Sequence, residues 1–416
     1  MTLNKIALCL SIALAGSCSS MAFAKEATSN SAQSSSANLN SITEAISNGK
    51  ASINLNLRYE TVDQDNALKD ADALTLRTRL TYATGNVAGF SSLIEFEDSR
   101  TVLGIDDYNN TLGKNTDYSV IADPETTELD QFLLQYKQKS LAVKVGRQLI
   151  TMDNHRFVGH VGWRQDRQTF DGVTFAFQPI EDLTLDYGYI TKRNRIFAEA
   201  KDIDSNDHLL NAAYQTTLGK ITAYGYLLEV DNDTDNGLDT FGIRFNGGTS
   251  IGEQKISYQL EYAQQDADNA VMSYAADYLL AELSSSFSGI GMKVGYELLG
   301  SDGGNYGFST PLATLHKFNG WSDQFLNTPK EGLTDLYASV GGKVAGGKWA
   351  VIYHKFDADE ASATVDDLGS EINAVYSKSF TKNYTAGIKL AAYSAGDVTA
   401  GKVDTDKIWL WLNAKF

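Results

Sequence analysis

The chain has 416 residues, 43% hydrophobic and 21% charged, with a formal net charge of −17. So acidic a polypeptide repels a phosphate backbone, which excludes nucleic acid as a partner. Four prolines, 35 glycines and an aromatic share of 11%, mostly Tyr and Phe, exclude a low-complexity polymer.

Residues 1–24 form a secretory signal peptide: Lys5, an apolar run over 6–16, then Ala22-Phe23-Ala24 ahead of Lys25. Cys9 and Cys18 both lie within it, so the exported chain has no cysteine and no disulfide. Ala15-Gly16-Ser17-Cys18 departs from a lipobox. Residues 25–50 read as a flexible periplasmic leader, rich in Ser, Ala and Asn to residue 39. Ser41, with Glu44 three residues on, caps a short helical turn near its end. No later segment holds 18 consecutive apolar residues, so a membrane helix is not expected.

From residue 51 to 416 the pattern alternates with period two. Over 52–60, Ile53, Leu55, Leu57 and Tyr59 share one face, opposite Asn54, Asn56, Arg58 and Glu60. Over 74–83, Leu74, Leu76, Leu80 and Tyr82 oppose Thr75, Arg77, Arg79 and Thr81. The same pattern runs through 255–263 and through 405–416, where Ile408, Leu410, Leu412, Ala414 and Phe416 share a face. A strand turns successive side chains to opposite sides, so each segment has one dry and one wet face.

Roughly 18 such segments begin near residues 52, 73, 89, 128, 140, 168, 182, 207, 220, 239, 254, 274, 290, 333, 347, 370, 384 and 405. Each is about 9–12 residues long, enough for a tilted strand to cross a bilayer. Their connections alternate short and long. An all-β transmembrane antiparallel barrel of about 18 strands, with short periplasmic turns and long extracellular loops, fits this better than a soluble β-sandwich. Such a barrel belongs in the outer membrane of a Gram-negative bacterium, against lipid and lipopolysaccharide. The apolar parity running to Phe416 is the form of terminal strand that barrel-assembly machinery recognises.

Nothing in the chain spells a catalytic or cofactor motif. The five histidines form no HExxH, and G-x-S-x-G and a phosphate-binding loop are missing. The acidic run 231–237 is similar to a calcium loop, but Gly237 falls one place late and Gly242 stands where a Glu is needed. No catalytic residue, cofactor or metal ligand is therefore expected.

All 11 arginines lie between Arg58 and Arg244. Arg58, Arg77, Arg79, Arg193 and Arg244 fall on or near wet faces and should face the lumen, since charge on the lipid face costs a few kcal/mol. Lumen acids such as Glu60, Glu95, Glu97 and Glu261 are either their ion-pair partners or fellow members of a charged solute path. Parity places Arg147 with lipid-facing Val143 and Val145 unless a bulge resets it. Two connections, 145–172 and 300–323, mix aromatic, charged and glycine residues at lengths no hairpin needs. They carry Arg156, Trp163 and Arg164 in one, and His316, Lys317, Trp321 and Asp323 in the other. They either fold into the barrel mouth as constriction loops or pack on themselves as a cap.

On these residues the chain resembles the alginate-export porin family, over nearly all of its exported length. The resemblance implies an eighteen-stranded outer-membrane barrel that passes an anionic polysaccharide through a basic lumen. It makes Arg58, Arg77, Arg79, Arg147, Arg164 and Arg193 candidates for the solute path. The last 172 residues, beyond Arg244, depart from an arginine-lined conduit by having no arginine. The expected function is a passive porin selective for small anionic or sugar-like solutes. The alternatives are export of an anionic exopolysaccharide and, from another class, an envelope-lipid hydrolase on a barrel scaffold.

Overall fold

The computed structural model describes residues 42–252 and 254–416. The signal segment and residues 25–41 lie outside them. A six-residue helix, α1 (Ile42–Ser47), is followed by eighteen strands. In the first half these are β1 (Lys50–Gln64), β2 (Ala71–Ala83), β3 (Phe90–Asp107), β4 (Thr126–Gln138), β5 (Leu141–Gln148), β6 (Thr169–Ile180), β7 (Leu183–Asn194), β8 (Ile203–Gln215) and β9 (Gly219–Leu228). In the second half they are β10 (Asn236–Ile251), β11 (Gln254–Asn269), β12 (Ser273–Phe287), β13 (Ile290–Leu299), β14 (Leu333–Val344), β15 (Gly347–Asp357), β16 (Asp367–Ser379), β17 (Tyr384–Ser394) and β18 (Thr405–Lys415).

Each strand starts within four residues of its expected position. Several run longer than expected: β3 has 18 residues, and β10 and β11 have 16 each. A bilayer-spanning strand needs only about 9–11 residues; in β3 the surplus, residues 100–107, runs past its pairing with β4 at the long-loop end, while in β10 residues 248–251 run past β9 at the short-turn end. Every strand pairs antiparallel with its sequence neighbours, and β1 pairs with both β2 and β18. The sheet therefore closes, and no unpaired backbone edge faces hydrocarbon.

The short turns explain how the register is held. Ser288-Gly289 and Ala345-Gly346 join strands in two residues, and all four have φ between 50° and 82°. Two consecutive positive φ values give the turn twist that matches a right-handed hairpin. At the same rim, outward aromatics pair, Tyr384 edge to face with Phe416 and Phe90 tilted against Tyr136. Tyr258 donates its hydroxyl to the Leu218 carbonyl of a neighbouring turn (2.9 Å). This is an interfacial belt with a dry ring and a wet hydroxyl.

The burial pattern is inverted relative to a soluble protein. Leu80, Phe96, Phe132, Leu134, Phe241, Leu260, Leu336 and Ile372 are each more than half exposed on the outer face. Arg58, Glu60, Glu97, Asp207, Arg244 and Glu371 are buried inside. The interior is filled by residues 149–168 and 300–332, the connections after β5 and after β13. Phe157 enters a ring of Tyr224, Tyr226, Tyr278 and Phe308, with centroids 5.2–5.9 Å apart. Gly159 N donates to Leu312 O (2.8 Å) and Thr314 N to His155 O (3.0 Å), so the two loops pair with each other inside the barrel.

Candidate functional site in the lumen

The first group of charges is built around Arg164, carried inward on the 149–168 loop. Its guanidinium donates to both oxygens of Glu60 on β1 (2.9 and 3.1 Å) and to Asp323 of the other loop (3.1 Å). Arg58 of β1 binds Asp123, from the 108–125 connection, and the Trp163 carbonyl. Asp323 also receives Lys407 of β18 (2.9 Å) and the Nδ1–H of His316 (2.6 Å). With Nδ1 donating, Nε2 of His316 is free to accept from the Lys389 ammonium (2.6 Å). This fixes a neutral tautomer, and burial pushes His316 down to about 3 although Asp323 pulls the other way. Burial would raise Asp323, but His316, Lys407 and Arg164 hold it well below the usual carboxylate range.

Lys389 stands inside an aromatic cage. Its Nζ lies 4.1 Å from the Trp163 ring, 3.9 Å from Trp321 and 5.3 Å from Trp409. Trp163 stacks on His316 at 5.1 Å and 9°. Ring faces are negative, so three of them substitute for part of the water an ammonium loses on burial. One cation thereby joins both inward loops to the wall at β17 and β18.

At the tip of the second loop, one carboxylate anchors the backbone of residues 321 and 322. Glu371 of β16 accepts from Trp321 N (2.5 Å), Ser322 N (2.9 Å) and the Ser322 hydroxyl. Gly320 precedes these amides with φ +83°, and a Cβ there would fall against the Glu371 carboxylate. Gly320→Ala is expected to cost at least the roughly 1–2 kcal/mol of a left-handed backbone. Trp321 fluorescence in the folded barrel should shift to the red as the tip moves off Glu371; an unchanged spectrum would contradict this anchoring.

Further pairs complete the interior. Arg79 binds Glu97, with Asp130 at 3.5 Å, and Arg167 binds Glu95 and Asp130 (2.6 Å to the latter). Arg156 meets Glu297 at 2.8 Å and hydrogen-bonds Asn319. Arg193 grips Asp207 with two bonds of 2.6 and 2.8 Å. Arg244 donates to Gln259 (2.6 Å), with Glu261 3.8 Å away.

Among the sequence candidates, Arg58, Arg77, Arg79, Glu95, Glu97, Arg193 and Arg244 all face inward and are buried. Arg156, Trp163, Arg164, His316, Lys317, Trp321 and Asp323 all lie on the two inward loops. Arg147 is the correction. It pairs across the sheet with outward Phe132 and with Asp171, and it forms its ion pair with Asp171 (2.8 Å) at the extracellular rim of the outer face. Parity simply continues through Gly146, and Arg147 does not line the lumen. Lys389, Lys407, Glu371 and Asp123 were missed. The first three stand on wet-face parity positions of β16–β18, so reading lysine and glutamate there, rather than arginine alone, would have found them.

Between the second loop and the wall of β11–β15 lies a cavity of about 150 Å³. Lys293, Lys317, Phe318, Trp321, Tyr337 and His354 are among its lining. Lys293 is paired with Glu282 (2.8 Å). Lys317 donates to the Asn154 carbonyl (2.8 Å) and forms no ion pair among the described residues. Burial, followed by the positive charges of Lys293 and Arg244, pushes Lys317 down to about 8.

Residues 50–302 match the alginate export family. The chain belongs to that family. No curated protein matches the sequence. In fold it is similar to OccAB4 of Acinetobacter baumannii, with a TM-score of 0.71 at 13% identity over 88% of this chain and 98% of that one. It is similar to OccK9 (OpdG) of Pseudomonas aeruginosa, with a TM-score of 0.70 at 14% identity over 89% and 99%. It is also similar to OpdK of Pseudomonas aeruginosa, solved with vanillate, with a TM-score of 0.69 at 11% identity over 88% and 98%. This alginate-export-family protein thus has the barrel fold of a Gram-negative outer-membrane channel.

Proposed function

We propose that this channel passes small anionic solutes by passive diffusion, and that Lys317 receives them inside the lumen. One observation carries the reading: Lys317 faces a cavity, beside aromatic surface, with a backbone carbonyl rather than a carboxylate as its acceptor. Most other lumen cations are already matched with acids. A guest carboxylate at Lys317 would gain an ion pair in a poorly hydrated site and break none. A cavity of about 150 Å³ is of the size that holds a benzene-sized molecule, which suits an aromatic or short aliphatic carboxylate. The vanillate found with OpdK is of that chemical class.

Refolded protein in planar bilayers tests this. Conductance with anion-biased reversal potentials is expected, blocked by aromatic carboxylates more than by neutral oligosaccharides. Lys317→Ala is expected to weaken that block at least tenfold, about 1.4 kcal/mol. No conductance at all, or block indifferent to Lys317, would refute the reading.

Arg77 and Arg79 separate path from structure. Arg77 hydrogen-bonds the Asn54 side chain (2.6 Å), whereas Arg79 is tied to Glu97. Arg77→Ala is expected to shift reversal potentials toward cations, and Arg79→Ala to lower thermal stability instead. The opposite assignment of the two effects would overturn this division.

The second reading, export of an anionic polysaccharide, is favoured by the family match over residues 50–302. It requires both inward loops to withdraw, since a polymer strand needs far more room than the cavity offers. Uptake of uronate oligomers by the refolded channel would support it. In either reading, the strand ending at Phe416 presents the chain to barrel-assembly machinery.

A further inference from the structure

Glu97 of β3, Glu128 of β4 and Asp166 of the 149–168 loop bring one carboxylate oxygen each within 4.8 Å of one another. Three acids in proximity are not by themselves a site. The informative atoms are Glu97 Oε1 and Asp166 Oδ1, which are buried and meet no hydrogen-bond donor in the protein. Both residues are 1% exposed. Arg79 occupies only the other oxygen of Glu97, and Asp166, beyond a carboxyl–carboxyl hydrogen bond with Glu128, receives only Ala198 N at 3.4 Å on its other oxygen. A buried carboxylate oxygen without a partner costs on the order of 1–3 kcal/mol or more, and here two such oxygens belong to one carboxylate cluster.

The charge count leads to the same conclusion. Glu95, Glu97, Glu128, Asp130 and Asp166 share Arg79 and Arg167, with Arg77 beside them on β2. Two negative charges remain unmatched. Surplus negative charge buried in this way needs a counter-charge. An all-oxygen donor set selects a hard divalent ion over zinc or copper. Glu128 is only half-buried and leaves an approach from the extracellular side.

We propose that Glu97, Glu128 and Asp166 bind one divalent cation of the calcium class, which clamps the 149–168 loop to β3 and β4. Water completes the six to eight oxygens such an ion takes. The ion matches the two surplus charges and seats the loop that carries Trp163 and Arg164.

The test is calcium binding by the refolded, lipopolysaccharide-free full chain in detergent, after EDTA and by equilibrium dialysis. One equivalent is expected, with Kd in the range of about 10⁻⁴–10⁻³ M found for extracellular sites. Asp166→Asn is expected to weaken it at least tenfold and to remove the EDTA sensitivity of the melting temperature. A double variant, Asp231→Asn with Asp233→Asn in an exposed acidic loop, should bind as the wild type does. If Asp166→Asn does not fold, as judged by heat-modifiable migration, Glu128→Gln takes its place. Absence of a stoichiometric calcium ion from the wild type overturns the proposal, as does binding that survives at Asp166 and is lost at Asp231 and Asp233.

Discussion

Replacing Arg164 with alanine is expected to open the channel rather than dismantle it. The guanidinium is the only group that touches Glu60 of β1 and Asp323 of the second loop at hydrogen-bond distance at once among the described residues. Its removal leaves Glu60 with Arg58 at 3.8 Å. Breaking a buried pair by deleting one partner costs about 3–5 kcal/mol, because the remaining charge stays desolvated. The wall should not bear that cost, since its ladders close through β1 and β18 independently of the loops. The cost falls on the docked state of residues 149–168. By the tenfold per 1.4 kcal/mol relation, the ratio of withdrawn to docked loop should rise by about two orders of magnitude or more. Single-channel conductance and open-state noise should both rise, while heat-modifiable migration on a gel stays that of a folded barrel. A variant with unaltered conductance would mean the loop is held by its apolar contacts alone, chiefly Phe157 among the tyrosines.

The same anatomy explains what the sequence could show. Period two is a local property, so the barrel, its strand count and the inward faces of Arg58, Arg77 and Arg79 were legible from a few residues at a time. Aromatic and charged density in 145–172 and 300–323 marked those loops as structured. What they touch was not legible. Trp321 meets Glu371 fifty residues away, and Arg164 meets Glu60 more than a hundred residues away. Such pairings depend on which loop enters the lumen and how deep, which no periodicity encodes. The basic character of the second half was hidden for a simpler reason. Lys389 and Lys407 do there what arginine does in the first half, so an arginine count saw an empty wall where the cage and the Asp323 contact stand.

Acidification is expected to loosen the lumen through its histidines. His316 is pushed down to about 3, by burial above all, with Lys389 adding to the effect. His155 and His160 are each pushed down to about 4, again by burial first, with Lys317 next for His155 and Arg167 next for His160. All three are carried on the inward loops. A withdrawn loop would return its histidines to water and to a value near 6.5. Asp166 on the first loop, held well above its usual range by burial, contributes with the opposite sign, but it is one group against three histidines, so on balance the docked state binds fewer protons than the withdrawn one. Its stability is intact above about pH 6.5 and declines as pH falls below that value, until the docked histidines themselves titrate near 3–4. For fully buried His316 the slope is up to about 1.4 kcal/mol per pH unit. Asp323 does not offset this, because its depressed value keeps it ionised throughout the interval. Open-state conductance should thus climb between pH 6.5 and pH 5, reversibly and without loss of the folded barrel. His316→Gln keeps an acceptor near Lys389 and a donor toward Asp323 but cannot take up the proton, so it should flatten the climb. A wild-type trace that is level across this interval would mean that the docked loops protonate without moving.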